Sequence, residues 1–231
     1  AMTILLKDAI KPNLVQTLEG NPAFVHGGPF ANIAHGCNTI IATDMALRMS
    51  DYVITEAGFG ADLGAEKFLD IKCRVGNFTP SAILVNATIR SLKYDFENKD
   101  KENIEKGLNN LRFHIENMLK YTDNVAVCLN HFENDNEDDI ETVRLFCENI
   151  GVPFTLCDAF SKGGEGAIDT AKSLIDICEK ESEFKFLYDE NDPIKDKISK
   201  VVYEIYRADN LEFTDMALDN IHKLEELNLD K

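Results

Sequence analysis

The chain has 231 residues, with 41 acidic and 24 basic side chains and a formal net charge of −17. Nucleic acids and anionic membrane surfaces are poor partners for such a chain, because they repel negative charge. Its apolar runs fall far short of the roughly 20 residues that span a bilayer, and no signal-peptide pattern is present. Its six cysteines form no C-x-x-C pair, which indicates reduced thiols. We therefore expect a soluble, cytoplasmic protein that binds neither nucleic acid nor membrane.

Hydrophobic periodicity and turn residues predict a regular alternation of helices and strands. The predicted elements of the first half are helix 4–18, strand 23–25, helix 38–49, strand 52–55, helix 64–73 and strand 82–86. Those of the second half are helix 103–119, strand 125–129, helix 138–149, strand 154–157, helix 167–178, an extended piece 184–187, helix 193–206 and helix 213–227. Thr214 is the expected N-cap of the last helix.

Strands that are apolar on both faces and separated by helices predict an α/β fold, with a mainly parallel sheet covered by helices on both faces. Parallel sheets bind ligands at the carboxyl ends of their strands. We therefore expect one common edge to be lined by the loops after Val25, Thr55, Asn86, Leu129 and Cys157.

The first candidate loop connects the strand at 23–25 to the next helix. Its candidate binding residues are His26, Gly27, Gly28, Phe30, Asn32 and His35. Glycine lets the backbone approach a ligand closely, and the first amides of the following helix can bind an anion. A tight loop whose histidines bond neighbouring carbonyl groups explains the same residues equally well.

The second candidate loop carries glycines at positions 58, 60 and 64. The spacing G-x-G-x-x-x-G differs from the dinucleotide fingerprint, and the carboxylates of Glu56 and Asp62 would repel a pyrophosphate. The interpretation as a nicotinamide oxidoreductase has no support in the sequence other than these three glycines. Carboxylates beside Gly58, Phe59 and Gly60 suit Mg²⁺, a monovalent cation or an amine substrate better. Solvated loop and cap residues are the alternative.

A third glycine-rich loop, at 162–166, also lies between a strand and a helix. The backbone at Lys162, Gly163 and Gly164 could form a nest for phosphate or ribose. The loop lacks the G-x-x-x-x-G-K-[ST] form, and a simple turn explains it equally well. His131, at the end of a predicted strand, is a further candidate.

Taken together, these loops and their flanks resemble the formate–tetrahydrofolate ligase family. The resemblance is carried by residues 10–20, 24–36, 55–68, 70–74, 130–132 and 162–166. It covers essentially the whole chain. The family converts ATP, formate and tetrahydrofolate into ADP, phosphate and 10-formyltetrahydrofolate through a formyl phosphate intermediate.

The resemblance implies P-loop NTPase-like or Rossmann-like layers, incomplete relative to the family. We expect a single α/β region over 1–231, with 1–95 forming part of the nucleotide and active-site domain and 96–231 a second α/β subdomain. The implied ligands are ATP with Mg²⁺, a monovalent cation as a further candidate, and tetrahydrofolate and formate as substrates.

Three charged residues are the candidate catalytic set. By charge, Lys67 would meet phosphate oxygens, whereas Glu56 and Asp62 would hold a cation or the pterin amine. The candidate substrate- and nucleotide-binding residues are His26, Gly27, Gly28, Phe30, Asn32, His35, Gly58, Phe59, Gly60, Lys162, Gly163 and Gly164. The sequence assigns no metal ligand.

The sequence departs from the family pattern at three places. The family's Walker-type loop and its carboxy-terminal domain have no counterpart here, and the chain contains no tryptophan. After the family-like stretch 86–93, residues 94–98 replace a His or Asn and two glycines. We therefore expect a truncated ligase that is not competent alone. The alternative is a non-catalytic binding or assembly module, or a split subunit that self-associates or needs a partner chain.

Overall fold

The computed structural model describes residues 1–26, 37–58, 60–94 and 104–230. It opens with helix α1 (Met2–Ala9), an antiparallel hairpin of β1 (Asn13–Gln16) and β2 (Pro22–Val25), and helix α2 (Ile40–Leu47). The predicted helix 4–18 is therefore wrong beyond residue 9. Pro12 disfavours helical backbone at Lys11, and the following residues pair with β2 instead. Leu6, Ile10, Leu14 and Leu18 recur every four residues, and this spacing imitated a helix.

Three strands form a parallel sheet in the order β3-β4-β5: β3 (Ile83–Ala87), β4 (Val125–Asn130) and β5 (Phe154–Cys157). The central strand β4 is buried from Val125 to Leu129, as expected for a strand covered on both faces. The α/β fold class is confirmed. β3 precedes residue 95 and pairs with β4 beyond it, and the proposed division into two parts at that residue stays a prediction.

Helices surround this sheet at nearly the predicted positions. They are α3 (Arg74–Gly76), α4 (Ile89–Leu92), α5 (Ile104–Met118), α6 (Glu137–Asn149), α7 (Ala159–Lys162), α8 (Ile168–Cys178), α9 (Ile194–Lys200) and α10 (Asp215–Glu226). π-Helical turns occupy Ala61–Ala65, Lys67–Cys73 and Val201–Ile205, and a 3₁₀ turn occupies Gly163–Ala167. The predicted cap of α10 is confirmed, because the Thr214 hydroxyl accepts a hydrogen bond from the Ala217 amide at 3.2 Å.

The predicted strand 52–55 is not formed. In the described ranges, the backbone pairing nearest to it is an isolated bridge between Cys37 and Ala57. Ile54 is 83% exposed, whereas Val53 and Thr55 are half-buried. β2 belongs to a separate hairpin, and residues 27–36, which follow it, lie outside the described residues, so the expectation that five loops share one edge stays a prediction. The ends of β3, β4 and β5 meet at one edge of the parallel sheet.

The core lies between the parallel sheet and its helices. Ile115, Tyr121, Val127, Val143 and Cys147 are each at most 1% exposed. The piece after α8 forms no strand, but Lys185 donates its amide to the Tyr121 carbonyl at 2.8 Å. Among the helices of the described residues, none combines the length and apolar character needed to cross a membrane.

Candidate functional site

Charged side chains meet where β4 and β5 end. His131 follows β4, and its amide donates to the Cys157 carbonyl at 2.8 Å, which holds the two strand ends together. The His131 Nδ1 atom lies 3.2 Å from Asp158 Oδ1, and Lys162 Nζ donates to Asp158 Oδ2 at 2.8 Å. The hydrogen bond from Lys162, followed by that from His131, lowers the pKa of Asp158. Asp158 is therefore a fixed carboxylate at the ligand-binding edge of the sheet.

Two aromatic rings lie on the segments that follow β4 and β5. Phe132 and Phe160 have ring centroids 5.1 Å apart at an interplanar angle of 52°. The Phe132 amide donates to Asp135 Oδ2 at 2.9 Å, which fixes the loop after β4. Phe160 is 76% exposed. An exposed ring beside fixed charges offers a face on which a flat, polar ring can stack.

The third glycine-rich loop binds a carboxylate side chain of the same chain. The Gly164 amide donates to a carboxylate oxygen of Glu19, which lies in the turn between β1 and β2. A Cβ atom at Gly164 would lie 2.1 Å from Glu19 Oε2, and Gly163 has a φ of +59°. The positive φ at position 163 favours glycine, whereas a side chain at position 164 would displace the Glu19 carboxylate. The role of Lys162, Gly163 and Gly164 in binding a ligand stays a prediction.

The ends of the first and second loops meet at the bridge between Cys37 and Ala57. Behind this bridge, a Cβ atom at Gly64 would lie 1.6 Å from the Gly58 carbonyl oxygen. The last glycine of the G-x-G-x-x-x-G pattern is therefore required by backbone packing. The Gly60 carbonyl accepts hydrogen bonds from the amides of Leu63 and Gly64 and starts the helical turn.

His26 joins the hairpin to both flanking helices. Its Nε2 atom lies 2.9 Å from the Ala9 carbonyl oxygen, and its Nδ1 atom lies 2.5 Å from Thr39 Oγ1. A carbonyl can only accept, so Nε2 carries the proton and Nδ1 accepts from the Thr39 hydroxyl. Thr39 Oγ1 in turn accepts from the Ala42 amide at 3.2 Å. Both ring nitrogens thus have protein partners, and a ligand role for His26 stays a prediction.

The remaining candidates of these loops divide into two groups. Glu56 is exposed, whereas Asp62 and Lys67 are half-buried. Gly27, Gly28, Phe30, Asn32, His35 and Phe59 lie outside the described residues. The catalytic roles of Glu56, Asp62 and Lys67 stay predictions.

Glu66 is a further carboxylate in this region that sequence reasoning missed. Its Oε1 atom is buried without a hydrogen-bond partner in the described chain. Burial raises the pKa of Glu66, and a hydrogen bond with Tyr206 opposes that rise. The Tyr206 hydroxyl also donates to the Asp62 carbonyl at 2.8 Å. Position 66 follows Asp62 by one helical turn, a spacing that could have revealed the pair.

Asp158 and Phe160 were also missed, although their position directly after β5 was a usable signal. A parallel strand delivers the residues that follow it to the ligand edge. In the described ranges, no three His, Cys, Asp or Glu side chains are grouped closely enough to hold a metal ion. A cation here would need ligands from a substrate as well.

The whole chain matches the family model of formate–tetrahydrofolate ligase, over residues 1–231. A formate–tetrahydrofolate ligase from Campylobacter concisus (strain 13826) is 52% identical over 237 aligned positions. The alignment covers 99% of this chain and 43% of that relative, so the chain spans less than half of the relative's length. A match of this extent and identity shows that the chain belongs to the formate–tetrahydrofolate ligase family.

Proposed function

We propose that this chain supplies part of the active site of an ATP-dependent formate–tetrahydrofolate ligase. The observation that carries the proposal is the arrangement at the ends of β4 and β5. A fixed carboxylate, Asp158, lies beside His131 and Lys162, and Phe160, two residues further along the chain, has an exposed ring. The chain matches this family along its length.

This arrangement fits the pterin ring of tetrahydrofolate. The face of Phe160 stacks on the flat ring system, and stacking of this kind contributes about 1–3 kcal/mol per ring. Asp158 accepts hydrogen bonds from the N–H groups of the pterin, because its pKa is held below the ordinary value. Lys162 and His131 keep Asp158 in one orientation and balance its charge.

The phosphate chemistry belongs to the second loop. Formate attacks the γ-phosphoryl group of ATP, and the folate amine then attacks the resulting acyl phosphate. Both steps concentrate negative charge on phosphoryl oxygens, which cations must stabilise. Mg²⁺ is commonly held by one or two carboxylates together with substrate phosphates. Glu56 and Asp62 provide such carboxylates. A Mg²⁺ ion held there would supply charge neutralisation for the phosphates, and a monovalent cation would suit the same oxygen donors.

We do not expect this chain to catalyse the reaction alone. The relative is more than twice as long, and the Walker-type loop that clamps phosphate in the family has no counterpart in the sequence. We expect ligand binding without turnover. Ligation requires phosphate-clamping groups that these 231 residues do not contain.

The alternative function, a non-catalytic assembly module, is favoured by the apolar surface of the first 54 residues. Among its described residues, the large apolar side chains that are at least half exposed are Met2, Ile4, Leu5, Leu6, Ile10, Leu14, Leu18, Val25, Leu47, Met49 and Ile54. A large exposed apolar surface usually marks a protein interface. Analytical ultracentrifugation over a hundredfold concentration range tests this function. A monomer at every concentration argues against self-association.

Calorimetric titration tests the ligase proposal. Tetrahydrofolate is titrated into the wild-type chain, into Phe160→Leu, and into the control Tyr203→Leu, which removes another exposed aromatic ring (Tyr203 is 46% exposed). We expect binding to wild type and the control, and about fivefold or more weaker binding to Phe160→Leu, since one stacked ring contributes about 1–3 kcal/mol.

Mg-ATP is titrated in parallel, with and without formate, and product formation is followed by absorbance. The proposal predicts no 10-formyltetrahydrofolate from the chain alone. Equal tetrahydrofolate affinities for wild type and Phe160→Leu, or no binding at all, would contradict the folate site.

A further inference from the structure

Asp158 occupies the N-cap position of α7 but does not cap that helix with its side chain. Aspartate at an N-cap usually accepts a hydrogen bond from an amide of the first helical turn, whereas the Asp158 carboxylate makes no such bond. It accepts a hydrogen bond from Lys162 Nζ instead, and its other oxygen lies 3.2 Å from His131 Nδ1. The carboxylate is thus free of its usual local role, and other contacts hold the backbone at this position.

The third glycine-rich loop, residues 162–166, binds both backbone groups of Asp158. The Asp158 amide donates a hydrogen bond to the Gly166 carbonyl at 3.0 Å, and the Asp158 carbonyl accepts one from the Lys162 amide at 3.0 Å. Gly166 belongs to the 3₁₀ turn Gly163–Ala167. This turn therefore closes back on the residue that directly follows β5.

Closure of this loop requires a residue without a side chain at position 166. A Cβ atom there would lie 2.2 Å from the Asp158 carbonyl oxygen and 2.4 Å from the Asp158 carbonyl carbon. Nonbonded heavy atoms keep about 3.5 Å apart, so a methyl group would push the Asp158 backbone by roughly 1 Å. Because both contacts are with backbone atoms, no change of rotamer relieves them.

The side-chain contacts of Asp158 depend on this backbone position. The Lys162 side chain is 66% exposed, so its ammonium group is free to follow a displaced carboxylate. The His131 backbone is held by its hydrogen bond to the Cys157 carbonyl, so the imidazole has little freedom to follow. At 3.2 Å, the contact between His131 and Asp158 is already at the long end of the hydrogen-bond range, and a shift of Asp158 would break it.

We infer that Gly166 is a positioning residue of the proposed tetrahydrofolate site, because its contact with the Asp158 backbone sets where the Asp158 carboxylate meets the ligand. The inference rests on the proposed function for the identity of that ligand. Groups that bind a ligand must be held to within about 0.5 Å, and a side chain at position 166 would shift Asp158 by more than that. The glycine-rich loop thus acts on the site through Gly166 and Lys162, which together orient one carboxylate.

The tautomer of His131 tests the positioning without any ligand. A carboxylate only accepts hydrogen bonds, so the contact with Asp158 favours the proton on His131 Nδ1. The ring signals are recorded in a ¹⁵N-histidine-labelled chain in mildly alkaline buffer and are assigned with His131→Gln. Wild type should show the Nδ1-protonated form, and Gly166→Ala should shift the ring toward Nε2 protonation, because the partner of Nδ1 has moved away.

The matched control is Gly107→Ala in α5. Its new Cβ atom would lie 1.9 Å from the Leu92 carbonyl oxygen, which is a backbone clash of the same kind among residues that have no part in the proposed site. This control should lose stability and keep the wild-type tautomer of His131. Equal tautomer ratios in wild type and Gly166→Ala overturn the inference.

Calorimetric titration with tetrahydrofolate connects the contact to binding. Gly166→Ala should bind tetrahydrofolate about tenfold or more weakly than wild type, since a hydrogen bond to a charged group contributes on that order. Gly107→Ala should keep the wild-type affinity. In an Asp158→Ala background, Gly166→Ala should have no further effect, because the carboxylate that it displaces is absent. A loss of equal size in that background overturns the inference.

Amide exchange of the wild-type chain keeps the test decisive if Gly166→Ala does not fold. The Asp158 amide donates to Gly166 and exchanges when this contact opens. If binding needs the contact, tetrahydrofolate should slow this exchange in proportion to its concentration above Kd. Exchange that bound tetrahydrofolate leaves unchanged overturns the inference. A wild-type chain that binds no tetrahydrofolate contradicts the proposed function, whereas the His131 tautomer in Gly166→Ala still decides the role of Gly166.

Discussion

The first 58 residues and the region from β3 onward use their apolar side chains in opposite ways. In the second region, β4 is buried along its length, with Val127 and Leu129 at 0% exposure. In the first, Ala42 and Thr43 are the only buried residues among those described, and Leu18 is fully exposed. The second region is a packed core that positions a site. The first is a surface hairpin with two helices, held by a few polar contacts.

The two regions are stabilised by different kinds of contact. An isolated hairpin is at best marginally stable in water, so β1 and β2 depend on their attachments. His26 links the hairpin to Ala9 and Thr39, and Glu19 links it to Gly164. The core needs no such contacts. The account therefore predicts large effects of core substitutions and local effects of substitutions in the hairpin.

The largest effect is expected from truncation of a core leucine. Leu129→Ala should lower the free energy of unfolding by about 2–5 kcal/mol, because it leaves a cavity in the central strand. Leu14→Ala in β1, where the side chain is 55% exposed, should change it by less than about 0.5 kcal/mol. Urea denaturation measures both. Similar costs at the two positions would contradict the contrast between the regions.

A smaller effect is expected at the cap of α2. Thr39→Ala removes the acceptor for the Ala42 amide and the partner of His26, and should cost about 1–2 kcal/mol. Thr214→Ala is the matched control, because Thr214 caps α10 in the same way without a histidine partner. Hydrogen exchange of the capped helices measures both costs. A larger cost for Thr214→Ala would refute the role of His26.

The contact between Glu19 and Gly164 should contribute about 1 kcal/mol to hairpin attachment, as a typical hydrogen bond does. Glu19→Gln should therefore speed limited proteolysis in the turn between β1 and β2 several-fold. Glu165→Gln removes the same charge from the neighbouring turn and should leave the rate unchanged. Unchanged cleavage of Glu19→Gln would show that the carboxylate does not hold the hairpin.

The smallest effect concerns acid stability at the edge site. The pKa of Asp158 is lowered by Lys162 and His131, so the ionised carboxylate favours the folded state. Its contribution is fully present above the ordinary pKa of 3.8 and is lost as the pH falls through the lower folded value. The difference in Tm between wild type and Asp158→Asn should therefore shrink in acid. A difference that grows as the pH falls would reverse the assigned sign.

Most of the second region was predictable from sequence, because its signals are local and agree with each other. β4 is an uninterrupted apolar run, and the ends of α6 and α10 carry Asn136 and Thr214 as caps. In the first region, a local signal gave a wrong prediction, the helix 4–18. Leu6, Ile10, Leu14 and Leu18 have helical spacing, but all four are exposed, and Pro12 disfavours continuation of the helix.

The candidate site was only partly predictable. The glycines at 163 and 164 and His131 follow recognisable strand ends. The pairing of Glu19 with Gly164 spans 145 residues and has no local signal. The burial of the Lys72 ammonium group without a hydrogen-bond partner could not be predicted either, because the residue type does not reveal whether a side chain is buried. Lys72 is buried and Lys67 is half-buried, and this difference depends on the packing of the fold and not on residue type.

The central claim is that the carboxyl edge of the parallel sheet, and not the hairpin, binds tetrahydrofolate. Hydrogen–deuterium exchange of the wild-type chain, with and without saturating tetrahydrofolate, tests it most directly. The account predicts slower exchange in residues 130–133 and 158–166, with little direct change in 2–9 and 40–47. Slower exchange confined to the first 58 residues, or no change anywhere, would contradict it.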